Sequence, residues 1–369
     1  MLLDDRAVAE RVFEHIERGT TDASDSLWRE PVANYRSQPR LEAELAVLRR
    51  LPVPFCPSSA LSEPGSYLAR EAGGTPLFAV RGADGVTRAF RNACRHRGMA
   101  LVSGAGCAKA FACRYHGWTY GLDGSLRHVP HEDGFPGLER GRHGLVEVSA
   151  REAGGIVFVA QDPRPGDLDS LDGLPELIGP EQKQFGGREI LVPANWKIFL
   201  EGFLEGYHIK TTHPTSFLPF GFDNLNVIEH FGRNSRVTFP FQRIAKLKGL
   251  PPEQWKVGGA VTFVYHLFPN ALVTVLSHHT VMIALEPVSL SETRLVTYLL
   301  SNRPASDPES AADAQRDAEF VNQTGGAEDA AMVTGIQRSI ASGANEYFTY
   351  GRWEGAIAHF HRELDRLLG

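Results

Sequence analysis

The sequence CRHRG at residues 94–98 is followed along the chain by CRYHGW at residues 113–118. Each stretch offers one thiol and one imidazole, which gives four ligand-type side chains: Cys94, His96, Cys113 and His116. One class of [2Fe–2S] cluster is held by two thiolates on one iron and two imidazoles on the other. Two loops that each supply one Cys and one His match that ligation. The sequence therefore predicts a [2Fe–2S] cluster bound by these four residues.

Zinc is the alternative interpretation, because two Cys and two His also form a tetrahedral zinc site. Zinc-binding sequences usually place Cys near Cys and His near His, whereas the two residue types alternate here. The alternation favours the two-iron cluster. The remaining cysteines, Cys56 and Cys107, are interpreted as reduced structural thiols of an intracellular protein.

The composition of the chain favours a small molecule or another protein as its partner. The 369 residues carry a net charge of −6, and Lys and Arg are scattered, so neither a nucleic acid nor a membrane surface is expected to bind. The N-terminus lacks the basic start and apolar stretch of a signal peptide, and no apolar run reaches membrane-spanning length. We therefore predict a cytoplasmic protein.

The sequence pattern predicts a helical N-terminal segment followed by two domains. Residues 1–40 include apolar positions at helical spacing and are expected to pack on the second domain. Residues 41–160 contain short strand candidates and Gly-rich turns, which predict a small antiparallel β domain that presents the cluster. Residues 161–187 are rich in Pro, Gly and Asp and are interpreted as a linker. The second domain is expected at 188–369.

This second domain is expected to be α+β, with an antiparallel sheet and a long C-terminal helix. The strand candidates are Val261–Phe268, Ala271–Leu285 and Thr293–Leu300. Apolar residues then recur at helical spacing from Trp353 to Leu367. A helix on one face of such a sheet leaves room for a cavity.

A second metal site is predicted within residues 195–213. Glu201, Glu205 and His208 would share one face of a helix through this segment. His213 would point elsewhere on a continuous helix, so the helix is expected to stop between the two histidines, where two threonines and a proline disfavour it. Two histidines and one carboxylate on one face of Fe(II) form the ligand set of non-haem iron oxygenases.

The carboxylate is expected from the later sequence GGAEDAAMV at residues 325–333. Asp329 shares a helix face with Val333 and Ile336, whereas Glu328 lies on another face. A carboxylate that faces the core is costly unless it is paired or metal-bound, which favours Asp329 as the third ligand and leaves Glu328 as the alternative. A His-x4-His pair alone would also fit two hydrogen-bonded core histidines.

The two sites in this order resemble the catalytic α subunit of Rieske non-haem iron oxygenases, the ring-hydroxylating oxygenase superfamily. The resemblance extends from about Pro52 to the end of the chain. Besides the cluster motif it rests on Asn-Trp-Lys at 195–197, Glu-x-Tyr-His-x4-His at 205–213 and Glu-Asp at 328–329. It implies a Rieske domain followed by a helix-grip, START-like catalytic domain.

The resemblance also implies roles for individual residues. His208, His213 and Asp329 would bind a mononuclear Fe(II), and Glu205 would link His208 to a cluster histidine of a neighbouring subunit. Two positions depart from the common family pattern, because many members have Asp at position 205 and Asn in place of Gly202. Glutamate at position 205 is familiar from members that act on quaternary ammonium compounds.

The function implied is that of a terminal oxygenase that uses O2. The sequence shows no flavin or dinucleotide fingerprint, so the electrons are expected from a flavin-dependent reductase, with or without a ferredoxin. A homotrimer is implied, with or without a β subunit. We expect hydroxylation of an aromatic or heteroaromatic small molecule; an N- or O-dealkylating or quaternary-ammonium monooxygenase is the alternative. A Rieske electron-transfer protein is the third hypothesis, although it would need no second metal site.

Overall fold

The computed structural model describes residues 2–304, 306–307 and 309–369. Its helices are α1 (Asp5–Arg18), α2 (Gln38–Arg50), α3 (Trp196–Glu201), α4 (Ile209–Thr212), α5 (Ser310–Gln323), α6 (Gly325–Ser339) and α7 (Gly355–Leu368). Its strands are β1 (Trp28–Pro31), β2 (Val53–Pro57), β3 (Ser66–Ala72), β4 (Thr75–Arg81), β5 (Thr87–Arg91), β6 (Gly104–Cys107), β7 (Phe111–Ala112), β8 (Thr119–Tyr120), β9 (Leu126–His128), β10 (Glu147–Ala153), β11 (Ile156–Ala160), β12 (Gln184–Val192), β13 (Val227–Phe231), β14 (Asn234–Pro240), β15 (Val261–Leu267), β16 (Ala271–Val275), β17 (His279–Ser289), β18 (Glu292–Ser301) and β19 (Tyr347–Tyr350).

The chain forms two compact units. The cluster unit is Leu45–Pro180, and the helix-grip unit combines Met1–Glu44 with Glu181–Gly369. The N-terminal segment and the C-terminal region are joined within the helix-grip unit by the antiparallel pairing of β1 with β19. Residues 161–180 of the predicted linker group with the cluster unit, and β12 already begins at Gln184.

The cluster unit is built from antiparallel strands. One sheet has the order β2-β11-β10-β5-β4-β3-β6, and a smaller sheet has the order β7-β8-β9. Aromatic rings fill the core, where Phe78 packs edge-on against Phe111 with centroids 4.9 Å apart. The side chains of Cys94 and Cys113 belong to the same core. The sheets therefore anchor both loops of the predicted cluster.

The helix-grip unit contains one large antiparallel sheet, in the order β12-β18-β17-β16-β15-β14-β13. Helix α7 packs on β13 and β14 and buries Ile357, Phe360 and Leu364. The Phe360 ring meets Trp196 of α3 with centroids 5.6 Å apart, so α7 also holds α3. The predicted α+β class, with a C-terminal helix on an antiparallel sheet, is confirmed.

Helix α1 is the predicted N-terminal amphipathic helix. The Asp4 side chain caps its first turn, and Gly19 ends it in the left-handed conformation, at φ +60°. Its buried face, Val8, Val12 and Phe13, packs in one core with residues of β13 and β15. Of the helices that the structure describes, none combines the length and apolar character needed to cross a bilayer.

Two details of the predicted strands and of the predicted C-terminal helix are wrong. Ala271–Leu285 is not one strand, because the polar residues around Ser277 interrupt it with a turn, in which the Leu276 N–H donates to the carbonyl of His279 (2.9 Å). The C-terminal helix does not include Trp353. This side chain is partly exposed and precedes the first residue of α7.

Candidate metal centres

The two cluster loops share one backbone pattern. In the first loop, the Cys94 N–H donates to the carbonyl of Met99 and the Gly98 N–H donates to the carbonyl of Cys94, both at 2.8 Å. The loop that begins at Cys113 repeats both hydrogen bonds at the corresponding positions, at 2.8 and 2.9 Å. Gly98 and Gly117 close the loops at φ +78° and +74°, a conformation that glycine adopts without steric cost.

The ligand-type side chains of these loops lie at the same end of the cluster unit. The thiols of Cys94 and Cys113 are buried, and the rings of His96 and His116 lie 4.6 Å apart. His96 Nδ1 is buried and makes no hydrogen bond within the part of the chain that the structure describes. Burial, followed by the charge of His116, lowers the pKa of His96 and favours the neutral imidazole that a metal requires. These donors fit a [2Fe–2S] cluster with split ligation.

Side chains around the cluster loops supply a hydrogen bond to sulfur and an aromatic support. The hydroxyl of Tyr120 accepts the N–H of Arg95 (2.9 Å) and lies 3.3 Å from Cys94 Sγ, so its own hydrogen is directed to the sulfur. The indole of Trp118 stacks on His96 at 5.0 Å, nearly parallel to it. Hydrogen bonds to cluster sulfurs tune the reduction potential.

The Asn-Trp-Lys sequence anchors α3. The Asn195 side chain accepts the N–H of Lys197 (3.1 Å) and caps the helix. The indole N–H of Trp196 donates to Glu44 Oε2 (2.9 Å), and Lys197 Nζ lies 2.5 Å from Glu44 Oε1. The Lys197 and Glu44 side chains are 0% and 1% exposed. The motif thus forms buried contacts with Glu44, and these contacts fix the start of the predicted metal-binding segment.

The predicted continuous helix through Glu201, Glu205 and His208 is wrong. Helix α3 ends at Glu201, and the following residues form turns. A separate helical turn, α4, lies between His208 and His213, where the prediction placed a break. The helical spacing of the three residues is therefore not what brings the site together.

The interruption has a local cause. Gly202 and Gly206 have low helix propensity. The carboxylate of Glu205 accepts the backbone N–H groups of Tyr207 and His208, so it caps a new turn instead of continuing the old one. The same carboxylate binds the imidazole of His208 at Nδ1.

Glu201 is turned away from the histidines and into the core. Its carboxylate accepts the hydroxyls of Tyr35 (2.6 Å) and Tyr350 (2.8 Å) and lies 2.8 Å from His361 Nε2. Burial and the charge of Glu201 raise the pKa of both tyrosines well above the ordinary value, so both remain hydrogen-bond donors. Glu201 is therefore a structural carboxylate that ties α3 to the N-terminal and C-terminal segments.

The three predicted iron ligands do converge. One ligand atom each from His208, His213 and Asp329 lies within 4.8 Å of the others. Asp329 Oδ1 is 2.9 Å from His213 Nε2 and 3.7 Å from His208 Nε2. His213 Nε2 is fully buried and makes no hydrogen bond within the described part of the chain. A buried nitrogen that lacks a hydrogen bond and faces a carboxylate and a second imidazole fits an Fe(II) ligand set.

Two further carboxylates lie behind the histidines. Glu205 binds His208 at Nδ1, and Glu328 Oε2 accepts from His213 Nδ1 at 2.7 Å. Each imidazole therefore keeps its proton on Nδ1 and presents Nε2 towards Asp329. Glu328, the alternative ligand in the sequence analysis, lies on the opposite side of His213 from the ligand cluster.

The electrostatics of this group favour a bound cation. Burial alone would lower the pKa of His208 and of His213, but the neighbouring carboxylates outweigh it and raise the pKa of both. For His208 these carboxylates are Glu205 and Asp329, and for His213 they are Asp329 and Glu328. A metal ion and a proton compete for the same Nε2 atoms.

Comparison with known families agrees with both centres. The model of the ring hydroxylating alpha subunit (catalytic domain) matches residues 177–369, and that of the Rieske [2Fe-2S] domain matches residues 52–139. The chain belongs to the ring-hydroxylating alpha-subunit family. The resemblance inferred from the motifs is confirmed, and with it the two cofactors of this family, a Rieske [2Fe–2S] cluster and a mononuclear non-haem iron.

Individual relatives of this alpha-subunit chain include enzymes of two kinds. It is 32% identical over 199 residues to the carnitine monooxygenase oxygenase subunit of Acinetobacter baumannii. The matched region covers 52% of this chain and 54% of the relative. It is 37% identical over 171 residues to the large oxygenase component of a naphthalene 1,2-dioxygenase system of Pseudomonas fluorescens, with 43% and 38% covered. The chain thus spans about half the length of the carnitine enzyme, and less of the naphthalene enzyme.

A solved structure supports the alpha-subunit fold over almost the whole chain. The structure of a quaternary ammonium Rieske monooxygenase in complex with L-carnitine superposes with a TM-score of 0.80, covering 94% of this chain and 97% of that one at 24% identity. At this identity the likeness establishes the fold alone.

The ligand roles of individual residues stay predictions that the geometry supports. Sequence reasoning missed Ser216 and Tyr120, and it considered Glu328 only as a ligand. The usable signals were weak: a serine three residues after His213, a tyrosine in the strand after the second cluster loop, and a glutamate directly before Asp329.

Proposed function

We propose that this protein is the terminal oxygenase component of a multicomponent system that oxidises a small organic molecule with O2. The observation that carries the proposal is the convergence of His208, His213 and Asp329 in the same chain as a Rieske domain. When bound, the cluster supplies single electrons and the mononuclear iron activates O2. A Rieske electron-transfer protein would have no use for the second set of ligands.

The protein's own residues have distinct parts in this proposal. Cys94, His96, Cys113 and His116 hold the cluster. Glu205 orients the imidazole of His208 by binding its Nδ1 atom, as carboxylates commonly do for metal-bound histidines. The oxidation of a C–H bond to an alcohol consumes one O2, two electrons and two protons and releases one water.

The proposed partners follow from the need for electrons. We propose a flavin-dependent reductase, with or without a ferredoxin, and a homotrimer in which Glu205 contacts a cluster histidine of the neighbouring subunit. Tyr207 and Trp353 support a contact surface near Glu205, because their rings lie 5.4 Å apart and remain 57% and 44% exposed. Tyr and Trp are among the residues enriched at protein–protein interfaces.

For the substrate we propose a quaternary ammonium compound in preference to the aromatic molecule expected from the sequence. The carnitine monooxygenase relative and the glutamate at position 205 support this choice. The charge of the site supports it too, because Glu205, Glu328 and Asp329 outweigh the charge of one Fe(II) and leave a net negative site for a cation.

The test is an EPR spectrum of the anaerobic Fe(II) protein exposed to nitric oxide and titrated with L-carnitine, other trimethylammonium compounds, naphthalene and indole. We expect a high-spin iron–nitrosyl signal that trimethylammonium compounds change and the arenes do not. A change with arenes alone would replace the substrate class by the aromatic one. A cluster signal without any iron–nitrosyl signal in iron-replete protein would refute the oxygenase function.

A further inference from the structure

Two consecutive residues of α6 hold the ring of His213 by its two nitrogens. Glu328 Oε2 is 2.7 Å from Nδ1, and Asp329 Oδ1 is 2.9 Å from Nε2. Successive residues of an α-helix point about 100° apart, so one carboxylate can reach each side of the ring. The His213 side chain is 1% exposed, and the Phe217 ring packs against it at a tilt of 47°, with centroids 4.7 Å apart. The ring is therefore enclosed and has a fixed orientation.

Ser216 fixes the carboxylate that holds this ring. Its hydroxyl donates to Glu328 Oε2 at 2.5 Å, the same oxygen that accepts from His213 Nδ1. The Ser216 residue is buried and lies three positions after His213 in the same segment. Two donors of one segment thus converge on one oxygen of α6, which defines the position of the Glu328 carboxylate although part of that side chain is exposed.

A neighbouring glycine permits this close approach of α6. A Cβ atom at Gly325 would come within 2.0 Å of the Phe217 ring. Only glycine at this position lets α6 lie against the segment that carries His213, Ser216 and Phe217. The contact places Glu328, one turn further along the helix, within reach of both donors.

We infer that Glu328, held by Ser216, is a positioning residue that sets the orientation and the tautomer of His213 for the mononuclear iron. The inference rests on the proposed function, because it assumes that iron binds at His213 Nε2. It gives Glu328 the same relation to His213 that Glu205 has to His208. The two carboxylates differ in origin, since Glu205 lies three residues before its histidine and Glu328 comes from a helix 115 residues away.

The test measures Fe(II) binding without turnover. The dissociation constant of the mononuclear Fe(II) is determined anaerobically by competition with a chelator in the cluster-loaded protein, for wild type, Glu328→Ala, Glu328→Gln and Ser216→Ala. The iron–nitrosyl EPR line shape is recorded for each. The matched control is Glu319→Ala, which removes an exposed glutamate of α5 that contacts Gln315. The cluster absorbance and thermal unfolding show that each variant is folded.

We expect Glu328→Ala to bind Fe(II) about 10- to 100-fold more weakly and to alter the nitrosyl line shape, as loss of such supporting partners commonly does. Glu328→Gln should restore most of the affinity, because its amide oxygen still accepts from Nδ1. Ser216→Ala should have a smaller effect than Glu328→Ala, and the Glu319→Ala control none.

Wild-type affinity and line shape in both Glu328→Ala and Glu328→Gln would refute the role of Glu328 and leave the oxygenase function standing. Absence of mononuclear Fe(II) binding in the wild type would refute the oxygenase function, and with it the role of Glu328. If Glu328→Ala does not fold, Ser216→Ala decides, because an unchanged line shape in that variant would contradict the proposed contact.

Discussion

The buried pair of Lys197 and Glu44 should be a large contributor to the stability of the helix-grip unit. Lys197 Nζ contacts Glu44 Oε1, and both side chains are almost completely shielded from water. Arg40 Nε also approaches the same oxygen, at 3.1 Å. The substitution Glu44→Gln removes the negative charge and nearly preserves the shape. It leaves the ammonium group of Lys197 in the core without a counter-charge.

The magnitude follows from the burial of both partners. Removing one partner of a buried ion pair typically costs about 3–5 kcal/mol, because the other charge stays desolvated. The indole of Trp196 loses little, since the amide oxygen of glutamine still accepts its N–H. In a unit of this size about 1 kcal/mol shifts Tm by roughly 2–4 °C, so Glu44→Gln should lower Tm by about 6–20 °C.

The assay is thermal unfolding followed by far-UV circular dichroism, with the cluster absorbance recorded in parallel for the other unit. The double variant Glu44→Gln, Lys197→Met should recover most of the loss, because replacing a buried pair by uncharged groups is often neutral. The control is Glu10→Gln, which breaks an exposed pair with Arg6 and should leave Tm nearly unchanged, because exposed ion pairs contribute little to stability.

Two results would refute this reasoning. A Tm of Glu44→Gln within 2 °C of wild type would mean that Lys197 does not depend on the charge of Glu44. A double variant as unstable as the single one would mean that the loss comes from packing or from Arg40 and not from the uncompensated ammonium.

Three further changes have defined outcomes. Glu205→Ala should lose turnover even at saturating Fe(II), when metal analysis and EPR show that both metal sites are filled; retained activity would contradict the bridging role. Tyr120→Phe removes a hydrogen bond to Cys94 Sγ and should therefore lower the cluster reduction potential in a redox titration. The expected decrease is on the order of 59 mV, which corresponds to a tenfold change in the one-electron equilibrium constant. An unchanged potential would show that this hydrogen bond has no electronic effect. Burial lowers the pKa of His266 from its ordinary value of 6.5 to about 4. At a pH below 6.5 the unfolded chain therefore binds more protons than the folded one. The free energy of unfolding should therefore fall as pH is lowered from about 6.5 to 4, by up to about 1.4 kcal/mol per unit, and urea unfolding of His266→Leu should show a flatter dependence than wild type.

The cluster site could be predicted from sequence because its ligands are local. Cys94 to His116 form two similar loops, and their glycines are readable as turn residues. The family could be recognised for the same reason, since its motifs are short and specific. The fold class followed from the strand patterns and from the apolar spacing of the last helix.

The iron site was less accessible because its geometry depends on tertiary contacts. Helical spacing wrongly placed Glu201 with Glu205 and His208, since propensity could not show that the Glu205 side chain would cap its own backbone. The expected core-facing position ranked Asp329 above Glu328 as a ligand, but this premise is wrong: the two side chains are similarly exposed, at 28% and 33%, and Ile336 on the face of Asp329 is 42% exposed. No local rule could show that Glu328 would meet a histidine far away in the chain.

The pairing of β1 with β19 has a consequence for how the protein is made. Strand β1 leaves the ribosome before the cluster unit, and its partner β19 leaves after it. The cluster unit is continuous in the sequence and lies between β1 and β19 along the chain. All of its strands and all four predicted cluster ligands therefore emerge before β1 can pair with β19. Because domains generally fold as units during synthesis, the cluster unit can complete its fold, with all four predicted cluster ligands in place, before α6 supplies Asp329, the predicted third ligand of the mononuclear iron.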